Sequence, residues 1–379
     1  MKPLSLQILN RLDELDMTAV AACKLLGITQ GAMSGFTRGL HEMSFNIVLR
    51  LPEALFDGKH EIVRRAALLM DGPLNIRASL EYLYNNDYHE DLVTIIENDR
   101  QFLRSQDIYE AYRLAMEYQK CRFKSYDELT IKLDRAMYFT RDKQAQALLK
   151  IIQADIAYQN REFKTMRSAA ATAREIIGEL KDTFFKNSYT SRIDKLFAHA
   201  ALFEGNLPEA REYAQKVIDA KVSPKLTSDA YYILGTSYWF EDQALTLDNL
   251  RKSSEILRAA GREDMAQEIE MRDIETVKTY YGIDLDVITD DMDPSEKAFR
   301  YAKRGDKAQA IEILDSIPET AFRLYYRGIA ENDCALHLQS LLQLMKGGDN
   351  FYIGLPLSEL MKDEFYRNIA LKLTKKGEI

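Results

Sequence analysis

Hydrophobic positions recur every three or four residues along most of the chain, and this spacing is typical of amphipathic α-helices. Two parts of the chain differ in the length of the predicted helices. Residues 4–56 contain four or five short helices, whereas longer amphipathic helices follow in pairs from about residue 61. The pattern predicts an all-α protein in which a small N-terminal helical domain precedes a long helical array.

Short polar segments separate the paired helices at roughly regular intervals. They are marked by Asn86, Cys121, Asn160, Gly205, Asp242 and Gly305. The first four intervals between these marks are 35, 39, 45 and 37 residues, and the last is 63. Helical repeats of this length are typical of a tetratricopeptide-like α-solenoid. An irregular acidic loop at 280–293 accounts for the long last interval.

The N-terminal domain contains the pattern of a helix-turn-helix. An apolar helix ends at Gly27, and Thr29 is placed to cap a second helix from Gln30 to about Arg38, which Gly39 ends. Two short helices joined by a glycine-containing turn form this DNA-binding unit. We therefore predict that the second helix reads the major groove of DNA with its N-terminal end.

The side chains of this predicted recognition helix suit the chemistry of a duplex. Gln30 suits adenine, and Arg38 suits guanine or a phosphate. The hydroxyl groups of Thr29, Ser34 and Thr37 suit phosphates or base edges. Glycines at 31 and 35 are a departure, since each weakens a helix by roughly 1 kcal/mol. The alternative interpretation is a small helical cap that makes no DNA contact.

Charge is distributed unevenly along the chain, whose formal net charge is -8. Residues 1–60 hold six Lys or Arg and six Asp or Glu, so the whole deficit lies in residues 61–379. Non-specific DNA affinity depends on counterion release by basic groups, which an acidic body opposes. We therefore expect DNA contact from a small N-terminal face that is doubled by dimerisation.

Composition and motifs exclude several other classes of protein. Hydrophobic residues make up 46% of the chain and charged residues 29%, as in a folded soluble domain. The three cysteines are dispersed, no apolar run reaches the length of a membrane span, and a reducing cytoplasm is the expected compartment. Motifs for nucleotide binding, metalloproteases and serine hydrolases are missing, so we expect no enzyme, no metal and no cofactor.

The concave face of a solenoid is the expected binding surface, because superhelical repeats form a groove suited to extended peptides. Amide or guanidinium groups there would hold a peptide backbone, and carboxylates would hold a basic side chain. The first kind comprises Asn187, Asn332 and Arg192, and the second comprises Asp242, Glu296 and Asp349. The alternative for each is a turn residue or a solvated charge.

The C-terminal part is predicted to close the array. Three glycines and a proline interrupt the helices at 347–360, and a final helix is expected from about Leu357 to Lys376. A bare terminal repeat exposes a hydrophobic face, so capping or dimerisation is expected there. The predicted organisation is therefore a DNA-binding domain at 1–56, a peptide-sensing repeat domain at 57–354, and a capping and dimerisation segment at 355–379.

Three stretches carry a resemblance to a known family. They are FFKNSYTSR at 184–192, YYILGTSYWFEDQAL at 231–245 and NFYIGLPLSEL at 350–360. With the N-terminal helix-turn-helix and the repeats, the chain resembles the arbitrium receptors of temperate phages, which belong to the peptide-sensing regulators of Gram-positive bacteria. The resemblance covers most of residues 180–362 and is weaker over 60–180.

The resemblance implies a homodimer that binds operator DNA and activates a gene controlling the choice between lysis and lysogeny. A hexapeptide ending in Arg-Gly-Ala then binds the repeat domain and blocks activation, which favours lysogeny. The peptide-binding residues that it implies are Asn187, Asp242, Leu245, Glu296, Asn332, Asp349 and Phe351. Asp242 departs from the family pattern, in which Asn is frequent, and the segment 355–379 would supply the dimer contact.

Two further functions remain open from the sequence. The first is a protein-interaction module of the same architecture, such as a response-regulator antagonist or phosphatase, which does not read DNA directly. The second, an enzyme, has no supporting motif. Combined mutation of Arg38 and Gln30 separates the regulator from the interaction module, because it should abolish binding to DNA in the regulator alone.

Overall fold

The computed structural model describes residues 2–98, 106–120 and 125–375, and within these ranges the secondary structure is helical, without strands. The predicted all-α fold is confirmed. The N-terminal part contains five short helices, as the sequence indicates, and a sixth follows. They are α1 (Lys2–Glu14), α2 (Ala19–Leu26), α3 (Gln30–Thr37), α4 (Phe45–Val48), α5 (Leu51–Leu55) and α6 (Glu61–Ala67).

Longer helices follow, and their boundaries agree with the predicted polar turns at 85–88 and 159–163. They are α7 (Pro73–Asn85), α8 (His89–Asn98), α9 (Gln106–Gln119), α10 (Tyr126–Phe139), α11 (Lys143–Gln159) and α12 (Phe163–Glu179). Most of the predicted turn at 121–125 lies outside the described residues. Asp142 caps the start of α11. Its Oδ1 accepts from the Gln144 and Ala145 N–H groups in the first turn of the helix.

Three of the following helices, which end at Glu204, Ser237 and Arg304, end at or just before the predicted turns marked by Gly205, Asp242 and Gly305. The helices of this part are α13 (Thr183–Glu204), α14 (Leu207–Ala220), α15 (Pro224–Ser237), α16 (Gln243–Ala259), α17 (Glu263–Glu268), a π-helical segment (Ile269–Ile274), α18 (Glu275–Tyr281), α19 (Pro294–Arg304) and α20 (Lys307–Ser316). The predicted irregular loop at 280–293 is confirmed, since residues 282–293 are not helical.

The C-terminal helices are α21 (Ala321–Glu331), α22 (Cys334–Lys346), α23 (Gly354–Leu360) and α24 (Glu364–Lys375). The prediction of one final helix from about Leu357 is wrong, because two helices separated by residues 361–363 occupy this segment. Asp363 is the physical reason. Its Oδ1 accepts from the Phe365 and Tyr366 N–H groups at 2.9 and 3.0 Å, which caps a new helix at that point.

Contacts divide the chain into two compact units. The first comprises Met1–Leu196, Lys216–Thr227 and Ile256–Arg262, and the second comprises Phe197–Gln215, Ser228–Glu255 and Glu263–Ile379. The predicted functional boundaries at residues 56 and 354 remain a prediction.

Each unit has an apolar core of its own. In the first unit, α11 and α12 bury Leu148, Ile152 and Ala173. In the second unit, the rings of Phe299 and Tyr326 stack with centroids 4.2 Å apart. Within the described ranges, no helix combines the length and the apolar character that crossing a membrane requires.

Candidate functional site

The α2–turn–α3 unit is built by local caps. Gly27 ends α2 in the left-handed conformation, with φ of 64°, which a side chain would disfavour. Thr29 precedes α3 in extended conformation, and its Oγ1 accepts from the Ala32 N–H at 3.2 Å. The second helix therefore begins at Gln30 as predicted, and it ends at Thr37 with Arg38 as its C-cap residue.

One face of α3 is buried and the other is open to solvent. Met33 and Phe36 lie in the core, whereas Gln30, Ser34 and Arg38 are exposed. These three residues are spaced by four positions, so they form a row along the outer face of the helix. Thr29 is also exposed, while Thr37 is half-buried and donates its hydroxyl to the Ser34 carbonyl at 3.2 Å. The outer row has the polar chemistry and the accessibility that contact with DNA requires.

Packing explains one of the two glycines in α3, Gly35. A Cβ atom at Gly35 would lie 2.8 Å from His41 Cδ2, so glycine allows the His41 ring to approach the helix closely. Gly31 is exposed, and the nearest atom that its Cβ would meet is Thr29 Oγ1 at 3.9 Å. Gly35 therefore weakens the helix but allows His41 to pack closely against it.

A buried carboxyl group marks the second unit. Glu296 lies in the first turn of α19 with 5% of its surface exposed. Its Oε1 accepts from the Tyr326 hydroxyl at 3.0 Å, while Oε2 has no hydrogen-bond partner. Burial raises the pKa of Glu296 to about 8, and the Thr276 and Tyr326 hydroxyls counteract this less strongly. A buried oxygen without a partner is costly, and a cationic ligand would satisfy it.

Two further carboxyl groups of the same unit lie near Tyr352, and one of them, Asp273, also interacts with Glu296. Asp273 belongs to the π-helical segment, and its Oδ1 accepts from the Tyr232 hydroxyl at 3.0 Å. Asp349 Oδ1 accepts from the Tyr352 N–H at 2.9 Å. After burial, the charges of Asp293 and Asp273 contribute to the raised pKa of Glu296. After burial, the charges of Asp273 and Asp349 contribute to the raised pKa of Tyr352. We call Asp273, Glu296 and Asp349 the acidic cluster.

The other predicted residues of the second unit differ in burial. Phe351 is buried, with its ring centroid 5.2 Å from that of Phe240. Leu245 is exposed at the start of α16, and Asp242 Oδ1 accepts from its N–H at 2.9 Å, so Asp242 caps that helix. Asn332 is exposed and ends α21 in the left-handed conformation, with φ of 54°. Asp242 and Asn332 therefore have local structural roles besides the predicted one.

Asn187 lies in the first unit, where it is exposed on α13. The six other predicted peptide-binding residues belong to the second unit. Of these, Glu296 interacts with Asp273, and Asp349 lies with Asp273 near Tyr352.

The family model described as AimR transcriptional regulator-like matches residues 66–362. The chain belongs to this family. The matched range begins after the α2–turn–α3 unit, and it includes all seven predicted peptide-binding residues, from Asn187 to Phe351.

Curated relatives of this AimR-like chain include two proteins named AimR transcriptional regulator. The one from Bacillus phage SPbeta is 25% identical over 193 residues, which are 48% of this chain and 49% of the relative. The one from Bacillus phage phi3T is 25% identical over 210 residues, which are 52% and 54% of the two chains. The chain therefore spans about half the length of the curated relatives that it matches.

Two solved structures share the fold of the AimR-like chain. One, named Structure of SeMet-phAimR, has a TM-score of 0.76 and 21% identity, and covers 97% of this chain and 100% of that chain. The other, named Structure of phAimR-Ligand, has a TM-score of 0.68 and 21% identity, and covers 85% and 98%. At this identity the likeness shows the fold alone.

Sequence reasoning missed part of the acidic cluster of this AimR-like chain. Asp273 carried no signal, because a π-helical segment has no distinctive pattern of residues. Tyr232 and Tyr352 lie inside two of the stretches that carry the family resemblance, and they could have been found there. Tyr326 is next to Tyr325 on α21 and could be assigned to Glu296 only once the fold was known.

Proposed function

We propose that this chain is a DNA-binding regulator of transcription whose affinity for DNA is lowered by a short cationic peptide. The observation that carries the proposal is the outer row of α3, formed by Gln30, Ser34 and Arg38 on a helix whose opposite face is buried. The family supports this reading, since two relatives are named transcriptional regulators.

The acidic cluster is the proposed site for the peptide's basic residue. Glu296 offers an unpartnered buried oxygen, and Asp273 adds negative charge close to it. Asp349 adds negative charge near Tyr352, which Asp273 also faces. An arginine side chain carries donors in a planar fork that suits carboxylates. The solved relative named phAimR-Ligand supports a binding site in proteins of this fold. Asn187, Asp242, Leu245, Asn332 and Phe351 remain proposed peptide contacts.

A homodimer is the proposed form that binds DNA. One copy of a neutral reading domain binds phosphates weakly, and two copies can occupy two half-sites separated by one or more turns of DNA. The dimer contact is proposed to lie in the segment 355–379, where Phe365 on α24 is 68% exposed. Apolar side chains with this exposure on one helix suit a partner surface.

Linkage makes the effects of peptide and DNA on each other's binding reciprocal. If the peptide binds more tightly to the form that does not bind DNA, it lowers DNA affinity by the same coupling free energy by which DNA lowers peptide affinity. The family resemblance supplies the direction and the setting: the free protein activates a gene that controls lysis and lysogeny in the bacterial host, and a hexapeptide ending in Arg-Gly-Ala stops this.

A double variant, Gln30→Ala with Arg38→Ala, tests the proposal against a protein-interaction module. Binding to a duplex that the wild-type chain enriches from a randomised library should be lost, while binding of synthetic hexapeptides ending in Arg-Gly-Ala is kept. Lys59→Ala is the matched control, since it removes an exposed positive charge that lies outside α3. Unchanged DNA binding in the double variant would contradict the proposal.

A further inference from the structure

The segment that follows α3 is tied to the first turn of α7 by Glu42. Its Oε1 accepts from the Asp71 N–H at 2.7 Å, and its Oε2 accepts from the Gly72 N–H at 2.9 Å. Oε2 also accepts from Asn75 Nδ2 at 2.8 Å. All these residues belong to the first unit. Both oxygens of one carboxylate thus hold a helix that begins about thirty residues later in the chain.

Asn75 of α7 also forms hydrogen bonds with the residues that follow Glu42. Its Nδ2 also donates to the Met43 carbonyl at 3.1 Å, and its Oδ1 accepts from the Phe45 N–H at 3.1 Å. The Phe45 ring in turn lies 5.7 Å from the rings of Tyr82 and Phe184. The chain between α3 and α4 is therefore held by hydrogen bonds and by aromatic packing on α7 and α13.

Helix α7 has no cap of its own. Its N-cap residue is Gly72, which carries no side chain, and Pro73 follows at the first helical position. The free N–H groups of a helix N-terminus need acceptors and favour negative charge, and Glu42 provides both. A Cβ atom at Gly72 would lie 2.8 Å from Glu42 Oε2, so glycine leaves the space that this carboxylate occupies.

The same segment touches the recognition helix directly. His41 precedes Glu42, and its ring lies against Gly35 of α3 so closely that a Cβ atom there would meet it at 2.8 Å. A continuous series of contacts therefore runs from α3 through His41 and Glu42 to α7. This arrangement fixes α3 on the helices of the first unit.

We propose that Glu42 is a positioning residue for DNA reading, which sets the orientation of α3 by tying the segment after it to the N-terminus of α7. The inference rests on the proposed function, because it assumes that α3 contacts DNA. It adds a residue that carries negative charge and that lies outside the outer row.

The direction in which DNA affinity changes when Glu42 is replaced separates a positioning role from a purely electrostatic one. A carboxylate near a DNA-binding face repels phosphates, so removing its charge alone should raise DNA affinity. Loss of positioning should lower DNA affinity instead. Glu53→Ala is the matched control, since it removes an exposed carboxylate of α5 in the same N-terminal part.

Two variants test the proposal, Glu42→Ala and the double variant Glu42→Ala with Gly72→Ser. Gly72 has the extended conformation of an N-cap, with φ of -68° and ψ of 136°, so serine there can cap α7 locally once Glu42 is truncated. The double variant thus restores the N-cap of α7 without restoring the hydrogen bonds between residue 42 and α7. Its thermal midpoint should return towards that of the wild type.

DNA affinity is measured for the duplex that the wild-type chain enriches from a randomised library. Both variants should bind it at least about tenfold more weakly, while Glu53→Ala binds as well as the wild type or better. Recovery of wild-type affinity in the double variant would overturn the proposal, because Glu42 would then act only as a helix cap. Wild-type or tighter binding by Glu42→Ala would also overturn it.

Hydrogen exchange of the free protein tests the contact between Glu42 and α7 independently of the proposed function, because the measurement needs no DNA. In the double variant the Phe45 amide, which donates to Asn75, should exchange faster while the amides of α7 keep their protection. Unchanged protection at Phe45 would contradict the tie. A wild-type chain that enriches no duplex would contradict the proposed function and leave the exchange result as the decisive test of the tie.

Discussion

Each of the two units buries a glutamate among tyrosines, and the two carboxyl groups differ in how fully their oxygens are hydrogen-bonded. In the first unit, Glu81 on α7 is fully buried, and its Oε1 accepts from Asn85 Nδ2 at 3.0 Å and from the Ser188 hydroxyl. Its Oε2 accepts from the Tyr112 hydroxyl at 2.7 Å, and Arg192 Nη1 lies 3.5 Å away.

Glu296 in the second unit has one hydrogen bond, from Tyr326, and a second oxygen without a partner. Glu81 has an ion pair with Arg192 and three hydrogen-bond donors, whereas the charged groups that act on Glu296 are the carboxyl groups of Asp293 and Asp273. The difference teaches that a buried carboxyl group alone does not identify a binding site. A completed network is typical of a scaffold, and an incomplete one is available to a ligand.

The largest expected effect is on stability at Glu81. Glu81→Ala leaves the Tyr112 and Ser188 hydroxyls without their acceptor and the buried Arg192 guanidinium without its counter-charge, so the free energy of unfolding should fall by about 3–5 kcal/mol. Urea denaturation measures this. A loss of less than about 1 kcal/mol would remove the contrast between the two units.

The next effect concerns ligand binding at Glu296. Glu296→Gln removes a costly buried carboxyl group of nearly the same shape, so stability should stay level or rise. Affinity for hexapeptides ending in Arg-Gly-Ala should fall by about 2 kcal/mol or more, about thirtyfold, because the arginine loses a charged partner. Calorimetric titration measures this. Peptide affinity equal to that of the wild type would contradict the assignment of the acidic cluster.

A pH effect of intermediate size follows from the raised pKa of Glu296. The folded chain holds this proton up to pH of about 8, whereas the unfolded chain releases it above the ordinary value near 4.5, so the folded state binds more protons between these limits. Stability from this group therefore falls as pH rises through that window, by at most about 1.4 kcal/mol per pH unit.

The contribution of Glu296 is isolated by comparing wild type with Glu296→Gln in urea denaturation across the same pH window. The wild type should lose stability more steeply with rising pH than the variant. Parallel pH profiles of the two proteins would show that Glu296 titrates as an ordinary exposed acid. Peptide affinity of the wild type should rise with pH over this window, since arginine favours the ionised carboxylate.

The smallest expected effect is at Asp242, which caps α16. Asp242→Ala should lower the free energy of unfolding by about 1 kcal/mol, while Asp242→Asn should change it by only a few tenths, because asparagine caps a helix equally well. Denaturant unfolding of the three proteins measures this. Equal losses in both variants would show that the charge of Asp242, rather than its cap, stabilises the helix.

Local features of the fold were predictable from the sequence, and long-range ones were not. Gly27 and Thr29 fix the ends of α2 and α3 through contacts within three or four residues, so their pattern indicates these ends directly. The break before α24 depends on Asp363, whose capping role competes with a helical pattern that continues through it. Capping signals of this kind decide helix ends that periodicity alone does not resolve.

The candidate site was predictable in its residue types and less so in its environment. Glu296 and Asp349 were proposed as acids for a basic side chain, but the orphan oxygen of Glu296 depends on packing between α19 and α21. The tie between Glu42 and α7 likewise joins residues thirty positions apart, with no periodic signal between them. Such contacts are set by tertiary structure, which a single sequence does not display.

The most direct test of the central claim is a fluorescence anisotropy titration of peptide into the complex of wild-type protein with its enriched duplex. We predict that hexapeptides ending in Arg-Gly-Ala lower the anisotropy to that of free DNA, and that the complex of Glu296→Gln keeps its anisotropy at the same peptide concentrations. If the wild-type complex retains its anisotropy when calorimetry shows that peptide is bound at saturation, the peptide does not control DNA binding and the account is contradicted.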